Sequence, residues 1–215
     1  NIMETKHLYF IFIPAILFAL IGLGIRIIQY EPLYPKAAEV SEVIKPTTIT
    51  LFSDDIISGN KQAKKTIIAF EDLGCAQCAV QSENIDELIK RYPDQVNVIW
   101  KLISVTTFPY STELAHKYAY CANQQDKFDT FKKLAFANAS NLSEGTLPLM
   151  AKEAELDQKQ LATCLSNEKT DLYNQKTKAL ATSLNMQVVP TFFVDDVQIQ
   201  SPQNIDAWVT ALELE

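Results

Sequence analysis

At 215 residues, the chain is long enough for one domain of roughly 150 to 200 residues with a sizeable core, plus an appendage. Its formal net charge of −7 argues against a nucleic-acid surface. Five glycines are too few for a phosphate-cradling loop of the usual pattern, and none occurs.

In chain order, residues 1–7 form a short tail. From Leu8 to Ile25 no charge interrupts an apolar run, and continuing to Ile28 gives about 31 Å of helix, enough to cross a bilayer with Arg26 snorkelling to its edge. Residues 8–28 therefore read as a single transmembrane anchor. A cleaved leader fits less well, because the run exceeds the roughly 7 to 15 residues of such a segment and no small-x-small site closes it. Glu4, Lys6 and Arg26 give the first 30 residues a charge of +1, which leaves −8 on the rest. Lys6 and Arg26 flank opposite ends of the span, so charge alone does not set its orientation.

Residues 29–47 hold three prolines without a helical or strand period and read as a tether, which makes residues 48–215 the domain. Thr48 to Phe52 is a candidate first strand. Thr66 to Phe70, Thr-Ile-Ile-Ala-Phe, is a compact buried strand. Ile85, Leu88, Ile89 and Tyr92 fall on one stripe of an amphipathic helix, which Pro93 ends. Val96 to Ser104 alternates as a further strand. This β-α-β unit implies parallel strands and a right-handed crossover.

Residues 111–184 are helical almost throughout, with Ser111, Asp126, Thr146 and Asp157 as candidate N-caps, Gln160 completing a box with Asp157, and Asn185 a left-handed stop. Pro190 to Ile199 reads as a hairpin around Asp195-Asp196, and Gln203 to Leu214 as a helix burying Ile205, Trp208, Val209 and Leu212.

The chemistry lies between the first clear strand and its helix, in Glu71-Asp-Leu-Gly-Cys75-Ala-Gln-Cys78. A zinc site would need further ligands; the other cysteines, Cys121 and Cys164, lie far apart in sequence, and His7 and His116 are near neither motif. A static bridge over so short a loop removes little chain entropy. A Cys-x-x-Cys at a strand-to-helix junction suits redox chemistry. Cys75 at the first helical turn meets unpaired N–H groups and the positive end of the dipole, which favour a thiolate; an ordinary thiol of pKa about 8.5 is only about 3% ionised at pH 7. Cys78, one turn on and facing inward, is the resolving thiol. No metal and no organic cofactor is called for, since the dithiol is itself the redox centre.

The stretches IIAFEDLGCAQC, YCANQQDKFDTF, ATCL and VVPTFFVDD, in that order, resemble the DsbA-like branch of the thioredoxin superfamily, extracytoplasmic thiol-disulfide oxidoreductases with a helical insertion. The resemblance runs from about Asp54 to the C-terminus. It implies an α/β, thioredoxin-like fold with an inserted helical subdomain, here preceded by the N-terminal transmembrane helix. It also implies that Pro190 is cis and sits against the dithiol, and that Val189 offers backbone hydrogen bonds to a bound peptide. Two departures bear on redox poise. Ala76 and Gln77 supply no cation between the cysteines, and Ala69 stands where the family commonly has a proton-relaying acid. Glu71, on the same strand face, either substitutes for that acid or is a solvated carboxylate. Cys121 and Cys164, on insertion helices, are a buried thiol pair or, as in some relatives, a structural disulfide, which an oxidising compartment favours. Phe128, Phe131, Phe192 and Phe193 read as core.

Together with the anchor read at residues 8–28, the resemblance implies an oxidoreductase on the outer side of a bacterial cytoplasmic membrane, donating disulfides to exported cysteine-containing proteins. It also implies reoxidation by a quinone-linked membrane oxidase of the DsbB or VKOR type. The rivals are a reductase or isomerase using the same cysteines, and a non-enzymatic metal carrier or assembly factor.

Overall fold

The structure, a computed structural model, describes residues 12–23 and 48–214. The chain divides into two compact units, Asn1–Ile44 and Lys45–Glu215. In the first, residues 12–23 are helical (α1), and its large apolar side chains, such as Phe12, Ile16 and Phe18, are exposed. Among the described residues no helix is long and apolar enough to cross a membrane. The remainder of the expected span, residues 8–11 and 24–28, and the tether up to residue 47 lie outside the described residues.

The second unit is built on a five-stranded sheet of order β1-β3-β2-β4-β5. The strands are β1 (Ile56–Gly59), β2 (Lys65–Glu71), β3 (Val96–Leu102), β4 (Thr191–Val194) and β5 (Val197–Ile199). Helix α2 (Ala76–Arg91) joins β2 to β3, which pair in parallel with Ile67 opposite Val98 and Ala69 opposite Trp100. The other pairings are antiparallel. Five helices intervene before β4: α3 (Glu113–Asn123), α4 (Phe128–Ala137), α5 (Leu147–Glu153), α6 (Gln158–Leu165) and α7 (Glu168–Ser183); α8 (Ile205–Ala211) closes the unit.

The two-residue period of β2 sorts the core. Ile67 and Ala69 join Val98, Trp100, Phe192 and Trp208 on one face; Ile68 and Phe70 join Ile99, Phe193 and Ala181 on the other. With both faces covered, β2 is a near-continuous apolar run, as a central strand requires. The Asp195-Asp196 turn has both residues at positive φ, 51° and 62°, the hand that matches strand twist in a two-residue hairpin. Asn185 is left-handed at φ 52°, as its position after α7 demands.

Several sequence expectations are corrected. Thr48 to Phe52 is not a strand: Ile49 N donates to Asp196 Oδ1 and Phe52 N to Asp55 Oδ2, so side chains satisfy this backbone and the first strand begins at Ile56. Thr112 and not Ser111 is the residue bounding α3, although Ser111 Oγ accepts from Glu113 N at 3.4 Å; Asp126 does not cap α4, which Lys127 precedes, and is left-handed at φ 55°. Thr146 precedes α5 without a side-chain cap bond to its N–H groups. Asp157 does cap α6 through Gln160 N, but its own N–H is taken by Gln125 Oε1.

Strand β3 is buried at every residue, including Lys101, rather than alternating. The Lys101 Nζ lies 2.6 and 2.7 Å from the two oxygens of buried Asp55 and 3.8 Å from the centroid of Phe52. Burial pulls the Lys101 pKa down against the opposing pull of Asp55. K101M strands the Asp55 carboxylate and is expected to cost about 3 to 5 kcal/mol by urea denaturation; a loss below about 1 kcal/mol would refute this account.

Candidate active site

The site grows from the point where β2 ends and α2 begins. Cys75 is the N-cap residue of α2 in extended conformation (φ −94°, ψ 118°), and its Sγ accepts from Cys78 N at 3.2 Å. A sulfur thus takes the place of the usual capping oxygen. Cys78 is fully buried, Cys75 is half-buried, and both are free thiols. The chain is pinned here by Cys75 N donating to Asp72 O at 3.0 Å, and by Gly74, where a Cβ would come within 2.7 Å of Thr112 Cγ2 and 2.9 Å of Thr106 Cβ.

These contacts set the two sulfurs apart chemically. The Cys75 thiol is lowered to about 6, chiefly by the hydrogen bond from the Cys78 thiol, with the N–H groups of Cys78 and Gln77 adding to it and burial opposing. The Cys78 thiol is driven strongly up, because its S–H is engaged with Cys75 and because it is buried beside Glu71. At pH 7 a group of pKa about 6 is about 90% ionised, so Cys75 is the nucleophile and leaving group of the pair.

The Val189–Pro190 bond is cis, and Val189 O lies 3.9 Å from Cys75 Sγ across 114 residues of sequence. The structure therefore brings Cys75, Cys78, Val189 and Pro190 together. A second cis bond, Phe108–Pro109, was not anticipated; Phe108 is exposed. Cys121 and Cys164 form a disulfide with Sγ atoms 2.05 Å apart, linking α3 to α6, while Cys75 and Cys78 remain free. Phe128, Phe131, Phe192 and Phe193 are buried core, as read from the sequence. Among the described residues no group of three or more His, Cys, Asp or Glu side chains is placed to hold a metal ion.

Glu71 is not a solvated carboxylate. It is fully buried, neither of its oxygens has a hydrogen-bond partner, and burial raises its pKa well above the ordinary value, with Lys132 opposing and the Cys75 charge reinforcing. The folded state therefore holds the Glu71 proton more tightly than the unfolded chain does. Stability is lost as pH rises above about 4.3, where the unfolded carboxyl ionises, and the loss continues up to the raised folded value. E71Q removes that penalty: its stability relative to the parent is expected to increase with pH above about 4.3. A pH-independent difference in urea unfolding would contradict this.

Two residues that sequence reasoning passed over complete the site. The Asp72 carboxylate, fully buried, accepts from Gly74 N at 3.0 Å, Val105 N at 2.8 Å and Thr106 N at 2.6 Å. His116, expected to be remote, has Nε2 3.2 Å from Asp72 Oδ1 and 3.3 Å from Leu73 N. One ring nitrogen cannot donate to the carboxylate and accept from Leu73 at once; we place the proton on Nε2, since the bond to a charged acceptor is the stronger. Burial works against the Asp72 charge, yet the bond from His116 and the N–H groups of Gly74 and Thr106 hold its carboxyl well below the usual range. The Asp-Leu-Gly spacing was a usable signal for the Gly74 bond, an Asx turn; nothing local pointed to His116.

The sequence profile of a family described as Thioredoxin matches residues 52–214. One curated relative, Na(+)/H(+) antiporter NhaA 3 of Salinispora tropica, is 23% identical over 158 residues, covering 74% of this chain and 24% of its own length, so the chain spans about a quarter of that protein. The fold is similar to BdbD from Bacillus subtilis, with TM-score 0.65, 20% identity, and coverage of 77% of this chain and 94% of that one. It is also similar to the thiol-disulfide exchange protein alpha-DsbA2 from Wolbachia pipientis, with TM-score 0.65, 15% identity, and coverage of 74% and 86%. With a dithiol capping the helix after the central strand and a helical subdomain between β3 and β4, the chain belongs to the thioredoxin family and has the DsbA-like form of its fold.

Proposed function

We propose that the protein is a thiol-disulfide oxidoreductase that donates disulfides to exported cysteine-containing proteins, with Cys75 as nucleophile and Cys78 as resolving thiol. The observation that carries the proposal is the half-buried Cys75 sulfur capping α2, held as an anion beside Val189 and Pro190. In the oxidised protein a substrate thiolate attacks Cys75 Sγ and the Cys75–Cys78 bond breaks. Cys78 leaves as a thiolate and takes up a proton, with Glu71 as the neighbouring acid. A second substrate thiolate then attacks the substrate sulfur of the mixed disulfide and Cys75 departs as a thiolate. The substrate has lost two electrons and the protein dithiol has gained them. Val189 offers its backbone to the bound peptide.

Residues 8–28 serve as the membrane anchor, disulfide donation places the domain on the extracytoplasmic side, and a quinone-linked membrane oxidase withdraws the two electrons. The Cys121–Cys164 bridge supports an oxidising compartment. The contrary reading, a reductase or isomerase, is favoured by one observation: no cation stands between the cysteines. The reduction potential of the Cys75/Cys78 pair decides between them. A value near about −120 mV is expected; one near about −270 mV defeats disulfide donation.

A further inference from the structure

Asp72 is not required by the exchange steps, yet it is the most heavily hydrogen-bonded carboxylate of the site. Its side chain ties three places together: the active-site turn through Gly74 N, the loop after β3 through Val105 N and Thr106 N, and helix α3 through His116. Its main-chain oxygen holds Cys75 N. The carboxylate and His116 are buried, where charges are poorly screened, while Gly74 and Thr106 are half-buried and Val105 is exposed. The charge is permanent near neutral pH, because four donors surround it. The other titratable groups near the dithiol are Glu71 on β2, whose pKa burial raises, and Lys132 of α4 and Asp86 of α2, which act on Glu71 in opposite senses.

An anion in this turn has a cost that depends on redox state. When Cys75 is in a disulfide it carries no charge and Asp72 meets no opposition. When the pair is reduced, Cys75 and Asp72 are two anions at the two ends of one hydrogen-bonded turn, three positions apart in sequence, and their repulsion opposes the thiolate. Destabilising the reduced form weakens the drive to accept electrons.

We propose that Asp72 is a positioning residue that also restrains the dithiol: its buried carboxylate fixes the Cys75 turn against the loop after β3 and, through its charge, keeps the pair a milder oxidant than the helix end alone would make it. The inference rests on the oxidoreductase reading above. It differs from a purely structural role in sign. Loosening a turn pushes Cys75 back toward an ordinary thiol of pKa about 8.5, whereas removing a nearby anion pushes it further down.

The test uses the full chain and two neutral variants, D72N and D72S, with folding checked by circular dichroism. Thiolate ultraviolet absorbance against pH gives the Cys75 midpoint, and equilibration with a glutathione redox buffer gives the redox constant. In a folded variant the midpoint is expected to fall, and the equilibrium at pH 7 to shift toward the reduced protein by close to the same factor, about 30 mV more oxidising for each tenfold. An unchanged or raised midpoint overturns the proposal. Failure of both variants to fold also overturns it, since Asp72 is then structural alone. If the parent shows no thiol-disulfide equilibrium with glutathione, the oxidoreductase reading itself has failed.

Discussion

C75S is expected to abolish disulfide transfer to a reduced substrate, a loss on the order of 10³-fold or more, the scale seen when a covalent nucleophile is removed. A hydroxyl cannot form the mixed disulfide, and the buried Cys78, its thiol driven up, is a poor substitute. C78S behaves differently. It keeps a reactive Cys75, cannot form the internal disulfide, and accumulates mixed disulfides that survive non-reducing electrophoresis. The pH profile adds an independent check. Alkylation of Cys75 should rise through a midpoint near 6 in the parent. Because the folded pKa lies below the ordinary thiol value of about 8.5, the thiolate stabilises the reduced fold fully above that value, and the contribution disappears as pH falls through about 6. Comparable activity in C75S, or an alkylation midpoint near 8.5, would remove the basis of the proposed mechanism.

The double variant C121A/C164A is expected to lose about 4 kcal/mol, because the bridge closes a loop with a sequence separation of 43 and its removal restores that entropy to the unfolded chain. For a domain of this size that amounts to a fall in Tm of roughly 8 to 16 °C. Disulfide transfer below the new Tm should persist, since the bridge ties α3 to α6 and touches neither Cys75 nor Cys78. Scanning calorimetry and a transfer assay on the same preparation separate the two effects. An unshifted Tm would show that the helices hold α3 and α6 together without the bridge.

The parts of this site legible in the sequence were those fixed by local physics. The apolar run before Cys75 had one secondary structure open to it, and the Ile85, Leu88, Ile89 and Tyr92 stripe had another, so the junction carrying the dithiol followed. The segments that deceived were those governed by distant partners. Thr48 to Phe52 has the composition of a strand, but Asp196, 147 positions on, takes the Ile49 N–H that a neighbouring strand would need. Lys101 sits in an apolar run and reads as the solvent face of an alternating strand until Asp55 is seen beneath it. His116 reaches the active-site turn only because α3 folds back across it, a return with no signature in the residues around either partner. Glu71 was recognised as a candidate, but its burial depends on the helical subdomain above β2 and was not foreseeable from its place at a strand end.

The 114 positions between Cys75 and the Val189 carbonyl also have a consequence for biosynthesis. At roughly 5 to 20 residues per second, a growing chain carries both thiols for about 6 to 23 seconds before the segment that flanks them in the finished protein exists. During that interval the thiols are open to any oxidant or neighbouring cysteine. Newly made copies therefore need an environment that prevents premature pairing with Cys121, which is synthesised well before β4 closes the sheet.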